Sequence, residues 1–502
     1  MSRRAWLPAL GAILAAALVL RLVFFVGLTG WDDLEYREAS ARLFAGDPVP
    51  HSLFGLRWGL TLPLGIVQAL GGHGEHATAL VPLAYSLAGI VLTFALGRWL
   101  AGERAGLAAA AVLALVPLDA LAASDLHADL PASVFLALAA YLALRAGASS
   151  RARTWLALAG ACVAVATLTK ESSLAFVLVL LVWGIRRRWS PAAGTSVALG
   201  FIVVVAVDTA WLRVATGAWL YRLSPAITAP HAAHMRMTVP SHAWMADYVA
   251  MLLDPRAGHF AELGGVFYLV VLATVAALAV RAVMLSDVVV WWGTLLAALS
   301  LAPLDASFTR PMFVHFARTA QPLLIPFALT IGLGLAAWRG GRLVPAAFAG
   351  GFAVLCAAGL WATHFDGRQW AAVARQAAPV IERAADVPVM TDAITAALLR
   401  SLLSERRAPA VTTAVVSGAA PALVLRDPLF IASALQHERP VAAAVLSPPA
   451  EAERVAVFER RQRPRLRAWL GQAGSRSPTT DAATLWRVGG AATAVRTAEA
   501  SR

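Results

Sequence analysis

The sequence carries little charge for its length. Only 14% of its 502 residues are Asp, Glu, Lys or Arg, whereas 59% are hydrophobic. This composition, with a mean hydropathy of +0.68, excludes an ordinary soluble protein. It is typical of a chain that crosses a membrane several times.

Cysteine and lysine are also scarce. Cys162 and Cys356 are the two cysteines, and both fall inside apolar runs, which argues against a disulfide framework. Lys170 is the sole lysine, so arginine carries almost all of the positive charge behind the formal net charge of +13. These arginines cluster in short connectors between apolar runs, where they set membrane topology, so we expect no binding of nucleic acid.

The apolar runs predict a polytopic α-helical membrane protein of about 11 spans. A helix needs about 20 residues to cross a bilayer. The first run lacks a convincing cleavage site, so it should remain as the first span. The runs lie near residues 6–28, 77–96, 105–122, 130–144, 155–168, 174–185, 192–212, 266–280, 288–304, 323–337 and 344–363.

Arginine marks alternate connectors, which predicts the topology. Cytoplasmic loops of membrane proteins are enriched in Lys and Arg. The N-terminus is therefore expected in the cytoplasm, and an odd number of spans places the C-terminus outside. The residues on the predicted cytoplasmic side are Arg3, Arg4, Arg98, Arg104, Arg145, Arg151, Arg153, Arg186, Arg187, Arg188, Arg281, Arg339 and Arg342.

Two regions differ from the apolar spans. The first outer loop, residues 29–76, has helical amphipathic spacing over 34–43 and a short apolar stretch over 60–70, which predict interfacial helices. The composition becomes mixed near Asp366, so we predict a membrane domain over 1–364 and a small α/β extracytoplasmic domain over 365–502. The Ser-, Thr- and Arg-rich end after Gly471 predicts partial disorder.

Three carboxylates follow the first predicted span. They are Asp32, Asp33 and Glu35, and in a helix Asp32 would share a face with Tyr36, one turn later. A carboxylate beside a bilayer is costly unless water, a cation or a hydrogen-bond donor reaches it. Spacing alone leaves two interpretations open, which are a general base and a solvated acidic surface.

A second acidic site lies between two later spans. Asp125 and Asp129 would lie one turn apart if the following helix extended back, and the favoured interpretation of His127 is an interfacial side chain. A divalent metal remains open as a cofactor, although the spacing fits no standard ligand set. The long loop 213–263 carries His231, His234, His242 and His259, together with Asp247, Asp254 and Glu262. In it, His231-x-x-His234 could contribute a metal ligand, but the spacing matches no standard set.

Several cations stand at the outer ends of apolar segments. Lys170, followed by Glu171, is a compact ammonium group suited to binding a phosphate. Arg57 and Arg318 could hold an anionic head group in the same way, and Arg21 lies within the first span, where a cation is costly. The alternative for each is an interfacial anchor, which for Lys170 would pair with Glu171.

These motifs together resemble the GT-C class of integral-membrane glycosyltransferases, specifically the protein O-mannosyltransferase and aminoarabinose transferase superfamily. The segment 32–36, Asp-Asp-Leu-Glu-Tyr, resembles the family's Asp-Glu-x-x-Tyr element, with Asp33 in place of Glu. Leu96 to Gly102 resembles its cytoplasmic Gly-Arg turn, and Asp129-x-Pro131 its second acidic site. The resemblance is good over roughly the first 200 residues and extends further by topology only.

The resemblance implies an enzyme of the bacterial inner membrane with a polyprenyl-phosphate-linked sugar as donor. An inverting transfer would take place on the outer face, to a lipid, glycan or protein acceptor. Asp32 would be the base with Asp33 in support and Tyr36 positioning the substrate. Lys170, Arg57 and Arg318 would stabilise the donor phosphate, and Asp125, Asp129 and Glu171 would form the second acidic site.

A transporter of a lipid-linked or small anionic substrate is the main alternative. Transporters usually place charges and broken helices near the midplane of repeated halves, whereas here the acidic residues cluster at one interface and no repeat is evident. A sensor with the tail as its ligand-binding domain is a third possibility, but 11 spans exceed what an anchor needs.

Overall fold

The fold is described here from a computed structural model of the whole chain. The described residues are 6–47, 49–225, 227–228, 245, 252–253, 260–263, 265–279, 283–302, 317–338, 341, 343–384, 387–404, 406–413, 421–436, 441–449, 451–460 and 482–488. All four histidines of the loop 213–263, with Asp247 and Asp254, lie outside these residues.

The chain is mainly helical. In chain order the described helices are α1 Trp6–Val23, α2 Asp32–Phe44, α3 Trp58–Ala69, α4 Glu75–Thr78, α5 Leu80–Ala101, α6 Glu103–Leu115, α7 Pro117–Ala122, α8 Asp129–Ala146, α9 Ala152–Thr169, α10 Phe176–Arg186, α11 Pro191–Thr216, α12 Phe260–Leu263, α13 Val266–Ala279, α14 Val283–Leu301, α15 Gln321–Ala337, α16 Leu343–Trp370, α17 Ala372–Arg383, α18 Ala393–Leu402, α19 Pro428–Gln436 and α20 Ala443–Leu446.

Seven helical segments in the described part of the chain are long and apolar enough to cross a membrane. They are α1, α4 with α5, α8, α9, α11, α15 with the turn before it, and α16 from Pro345. The predicted run 105–122 is divided between α6 and α7, because Val116 is extended before Pro117 and a residue preceding proline disfavours helix. The count of 11 spans stays a prediction.

The long helices pack around α15. Nearly every residue of its first three turns is buried, and α5, α6, α8, α13 and α14 surround it. In contrast, α11 lies at the edge of the bundle and leaves Ile202, Val203 and Val207 exposed. An apolar face that the other described residues leave exposed suits contact with lipid.

A buried ion pair ties four of these helices together. Arg21 of α1 donates to the Asp119 carboxylate of α7 at 2.5 Å and to Ser86 of α5 at 2.7 Å. Gln321 at the start of α15 donates to the other Asp119 oxygen at 3.0 Å. An interfacial anchor was one interpretation of Arg21, but the side chain is 1% exposed and pairs inside the bundle.

The C-terminal region builds a five-stranded sheet. Its strands are β1 Val389–Met390, β2 Val411–Thr412, β3 Ala422–Arg426, β4 Glu453–Phe458 and β5 Ala483–Val488. The strand order is β2-β1-β3-β5-β4. β1 is parallel to β2 and β3, whereas β5 is antiparallel to β3 and β4.

The sheet and its helices pack against the connector between α1 and α5. One hydrophobic cluster joins Leu28, Tyr36 and Leu60 of this connector to Ile381 of α17 and Phe430 of α19. Leu126, from the turn between α7 and α8, belongs to the same cluster. The C-terminal region therefore lies at the end of the bundle where the acidic segments are. Helix α16 continues through the predicted domain boundary at residue 364, and that boundary stays a prediction.

Candidate active site

Asp33 holds the turn that starts α2. Its carboxylate accepts backbone N–H bonds from Thr29 at 2.6 Å, Gly30 at 3.2 Å and Trp31 at 2.6 Å. Burial, reinforced by the nearby charge of Asp125, raises the pKa of Asp33 although these N–H groups oppose the change. The side chain is fully buried, and its carboxylate is bound by the backbone of its own turn. This geometry does not favour direct contact of Asp33 with substrate.

Asp32, one residue earlier, faces a cluster of cations. Its carboxylate pairs with Arg318 at 2.9 Å, and about 30% of the side chain is exposed. Burial favours the neutral acid, but Arg318, His127, Arg57 and Lys170 together outweigh burial and lower the pKa of Asp32. The carboxylate is therefore ionised at neutral pH, as a general base must be.

His127 links Arg318 to the second acidic segment. Its Nε2 lies 2.8 Å from Asp125 and its Nδ1 lies 3.3 Å from Arg318 Nη1. Arginine can only donate, so Nδ1 accepts in this contact and the neutral ring donates through Nε2 to Asp125. Burial opposes the charged ring, yet Asp125 raises the pKa of His127 overall. The sequence favoured an interfacial side chain, whereas the structure places His127 within the charged cluster.

Lys170 lies at the end of α9, opposite the start of α8. Its ammonium group is 3.4 Å from Asp129 Oδ1, rather than paired with the adjacent Glu171. Burial lowers the pKa of Lys170, and the positive charges of Arg57 and Arg318 add to this effect. Helix α8 begins at Asp129, so Asp125 is in the preceding turn and the conditional helical pairing of Asp125 with Asp129 does not form.

Arg57 joins Tyr36 to Glu171. Its guanidinium lies 3.2 Å from Glu171 Oε2 and donates to the Tyr36 hydroxyl. Burial opposes the charged guanidinium, but Glu171 and Tyr36 raise the pKa of Arg57 overall. Arg57 and Lys170 in turn lower the pKa of Glu171 against the effect of burial. Burial raises the pKa of Tyr36, so this hydroxyl stays protonated.

Hydrogen bonds from residues that the sequence analysis did not select hold these cations in place. Thr169 accepts from the Gly59 N–H at 3.1 Å, which fixes the start of α3 beside Lys170. Asp208 of α11 accepts from the Trp58 indole at 2.5 Å and from Arg222 at 2.7 Å. A carboxylate inside an apolar helix such as α11 is costly unless it is paired, and that was the available signal for Asp208.

The site thus brings together all the predicted residues except Asp33, whose carboxylate turns to its own backbone. Three cations and four carboxylates meet at one end of the bundle, with each cation paired to a carboxylate. Among the described residues, no group of three or more His, Cys, Asp or Glu side chains is arranged to hold a metal ion. Such a site can stabilise an oxyanion and accept a proton.

One stretch of the sequence and the fold as a whole are similar to those of known proteins. Residues 61–211 match the model of a family described as dolichyl-phosphate-mannose-protein mannosyltransferase. No curated protein matches the sequence. The fold is similar to that of ArnT from Cupriavidus metallidurans bound to undecaprenyl phosphate, with a TM-score of 0.60, 16% identity, and coverage of 97% of this chain and 98% of ArnT.

The apo structure of the same ArnT gives a TM-score of 0.58 and 15% identity, over 95% of this chain and 97% of ArnT. At this identity the likeness shows a shared fold. The resemblance predicted from the sequence is therefore confirmed: this protein has the fold of the GT-C class of integral-membrane glycosyltransferases, the class of the protein O-mannosyltransferase and aminoarabinose transferase superfamily.

Proposed function

We propose that the protein transfers a sugar from a polyprenyl-phosphate-linked donor to an acceptor hydroxyl. The observation that carries this proposal is the convergence of Arg57, Lys170 and Arg318 around the ionised Asp32. Undecaprenyl phosphate is the molecule bound to the similar ArnT structure, and a lipid of this kind explains a charged site at the end of a membrane bundle.

The chemistry is a single inverting displacement. Asp32 removes the proton of the acceptor hydroxyl, and the resulting oxygen attacks the anomeric carbon of the sugar. The bond between that carbon and the phosphate oxygen breaks, and the polyprenyl phosphate leaves with the electron pair. Lys170, Arg57 and Arg318 stabilise the charge that develops on this leaving group.

The ion pairs indicate how donor binding prepares the base. Arg318 pairs with Asp32 at 2.9 Å, and a carboxylate whose pKa is lowered by a cation is a weak base. A donor phosphate competes with Asp32 for Arg318. Once Arg318 turns to the phosphate, Asp32 loses its nearest cation and becomes the stronger base. The Lys170 ammonium, with a single long ion pair of 3.4 Å among the described residues, is also ready to accept the phosphate.

The remaining carboxylates keep the cations in place. Glu171 orients Arg57, Asp129 orients Lys170, and Asp125 orients His127 against Arg318. Tyr36 holds the other side of Arg57 and positions the substrate through this cation. Asp33 supports Asp32 through the turn that precedes α2.

The arginine-rich connectors favour an outer-face location for this site, and we propose that the membrane is a bacterial inner membrane. In this arrangement the N-terminus is cytoplasmic and the α/β region of 365–502 is periplasmic. The acceptor is a lipid, glycan or protein with a free hydroxyl.

Sugar transfer by the purified protein tests the proposal. With polyprenyl-phosphate sugars as donors and extracted envelope lipids, glycans and proteins as acceptors, we expect transfer by the wild type. Asp32→Asn should lower kcat at least about 100-fold and retain donor binding, because proton removal is lost. Lys170→Gln should lower kcat/KM for the donor about 100-fold.

Glu38→Gln is the matched control. Glu38 lies on the same helix as Asp32, and its exposed side chain pairs with Arg42, so full activity is expected. Undiminished transfer by Asp32→Asn would overturn its assignment as the base. Flux of the lipid-linked sugar into proteoliposomes without any transfer would instead identify a transporter.

A further inference from the structure

The connector between α1 and α2 is held by side chains from the C-terminal part of the chain. Arg375 of α17 donates to the backbone carbonyls of Val26 at 2.8 Å and Leu28 at 2.9 Å. It also pairs with Glu75, which accepts the Leu28 N–H at 2.8 Å. Arg368, near the end of α16, donates to the Phe25 carbonyl at 2.9 Å.

Aromatic packing closes the other end of this connector. Trp31 makes edge contacts with Trp370 and with Phe430 of α19, at centroid distances of 5.5 Å and 6.1 Å. Gly30 adopts a φ of +96°, and a Cβ there would lie 2.9 Å from the Phe430 ring. The close approach therefore needs glycine at position 30.

The same connector holds both acidic segments of the site. Its N–H groups at residues 29–31 bind the Asp33 carboxylate, which sets the first turn of α2 and hence the direction of Asp32. The Val26 N–H donates to Ser124 Oγ at 2.9 Å, immediately before Asp125. The C-terminal region thus contacts residues 25–31, and these residues in turn hold the segments that carry Asp32 and Asp125.

We propose that the C-terminal region is a positioning element of the active site, with Arg375 and Phe430 as its positioning residues. They fix residues 25–31, and through that connector they place Asp32, and the turn that carries Asp125 and His127, against Arg318. This inference rests on the proposed transferase function. It assigns to the α/β region a role in catalytic geometry that does not require contact with donor or acceptor.

The proposal predicts a loss of rate with little change in donor binding. Arg375→Ala should lower kcat about 10- to 100-fold, because a displacement near 1 Å at a reacting group has an effect of this size, while the KM for the donor stays within about threefold. Backbone amide exchange in residues 25–31 should accelerate, since the bonds that hold them are lost. Arg375→Lys should recover part of the rate.

Arg383→Ala is the matched control. Arg383 lies on the same helix, is exposed, and donates to the Pro379 carbonyl within it, so kcat and exchange should not change. Phe430→Leu supplies a second variant that keeps an apolar side chain if Arg375→Ala does not fold. It should accelerate exchange at residues 29–31 and lower kcat in the same way.

Amide exchange separates this inference from the proposed function. Faster exchange at 25–31 with no transfer by the wild type would overturn the proposed reaction, but it would support the contacts through which Arg375 and Phe430 fix residues 25–31. Unchanged exchange in both variants, or faster exchange with an unchanged kcat, would overturn the positioning role. A raised donor KM with an unchanged kcat would also contradict it, because that result describes a binding residue.

Discussion

Asp32 and Asp33 are adjacent in the sequence and have opposite environments. Asp33 is buried against its own backbone, and burial raises its pKa. Asp32 is partly exposed and faces Arg318, Arg57 and Lys170, whose charges lower its pKa against the effect of burial. One step along the helix turns a side chain by about 100°, so a single residue separates the structural carboxylate from the candidate base.

The pH dependence of the reaction should report on the Arg318 pair. Activity requires ionised Asp32, so kcat/KM falls as the pH drops through the pKa of Asp32, which lies below the ordinary aspartate value. Arg318→Gln removes the largest lowering influence on this pKa. We therefore expect the acid limb of the profile to move to higher pH, in addition to a lower plateau.

Measurement of kcat/KM against pH checks this expectation. Arg42→Gln, which removes an exposed guanidinium from α2, should leave the acid limb in place. An acid limb in Arg318→Gln that is unchanged or moved to lower pH would show that Arg318 does not set the ionisation of Asp32.

The charged residues of the site are predictable from the sequence, because their cost in an apolar chain makes them conspicuous. Their ion-pair partners are not, because the fold decides which side chains meet. The anchor interpretation of Lys170 paired it with Glu171, but the fold brings it to Asp129, since α8 and α9 pack side by side. Thr169 was not found because a hydroxyl at the end of a span carries no distinct signal before its partner, Gly59, is known.

At the scale of elements, glycine allows a close contact between α11 and α9, the helix that Lys170 follows. Gly160 of α9 faces the backbone of α11, and Gly200 of α11 faces the backbone of α9. A Cβ at Gly160 would lie 2.0 Å from the Val197 carbonyl oxygen, and one at Gly200 would lie 1.8 Å from that of Ala157. Small residues allow such close packing between membrane helices.

Gly200→Ala should destabilise the protein because the helices must separate to admit the methyl group. Overpacking of this kind costs about 1–3 kcal/mol. We expect a lower Tm in detergent and weaker transfer, since α9 carries Lys170 at its end. Gly194→Ala is the control on the same helix, because a Cβ there meets nothing within 4 Å. An equal Tm for the two variants would contradict close packing at Gly200.

Element boundaries show a limit of pattern analysis. Residues 105–122 are apolar apart from Asp119 and predict one span, yet Pro117 starts a separate short helix. This break places Asp119 inside the bundle, where Arg21, Ser86 and Gln321 satisfy its carboxylate. Hydropathy reports only average polarity, so it does not reveal an ion pair between helices that are distant in the chain.

At the scale of the whole molecule, sequence and fold constrain different things. Arginine placement predicts which connectors share a side of the membrane. The structure adds that the α/β region packs on the segment between α1 and α5, which contains Asp32. If both hold, α2 and the C-terminal sheet must lie on one side, and the connector at Arg104 on the other.

Site-directed labelling tests this topology. In a background with Cys162→Ala and Cys356→Ala, single cysteines replace the exposed Glu38, Arg104 and Arg454. A membrane-impermeant maleimide should label the positions in α2 and β4 in intact spheroplasts, and the Arg104 position only after permeabilisation.

Because residues 38 and 454 lie at one end of the bundle, their labelling should agree even if the orientation is inverted. Labelling of Arg104→Cys together with Glu38→Cys in intact spheroplasts would contradict the arginine-based topology. Labelling of Glu38→Cys and Arg454→Cys from opposite sides would contradict the packing of the α/β region on the segment between α1 and α5.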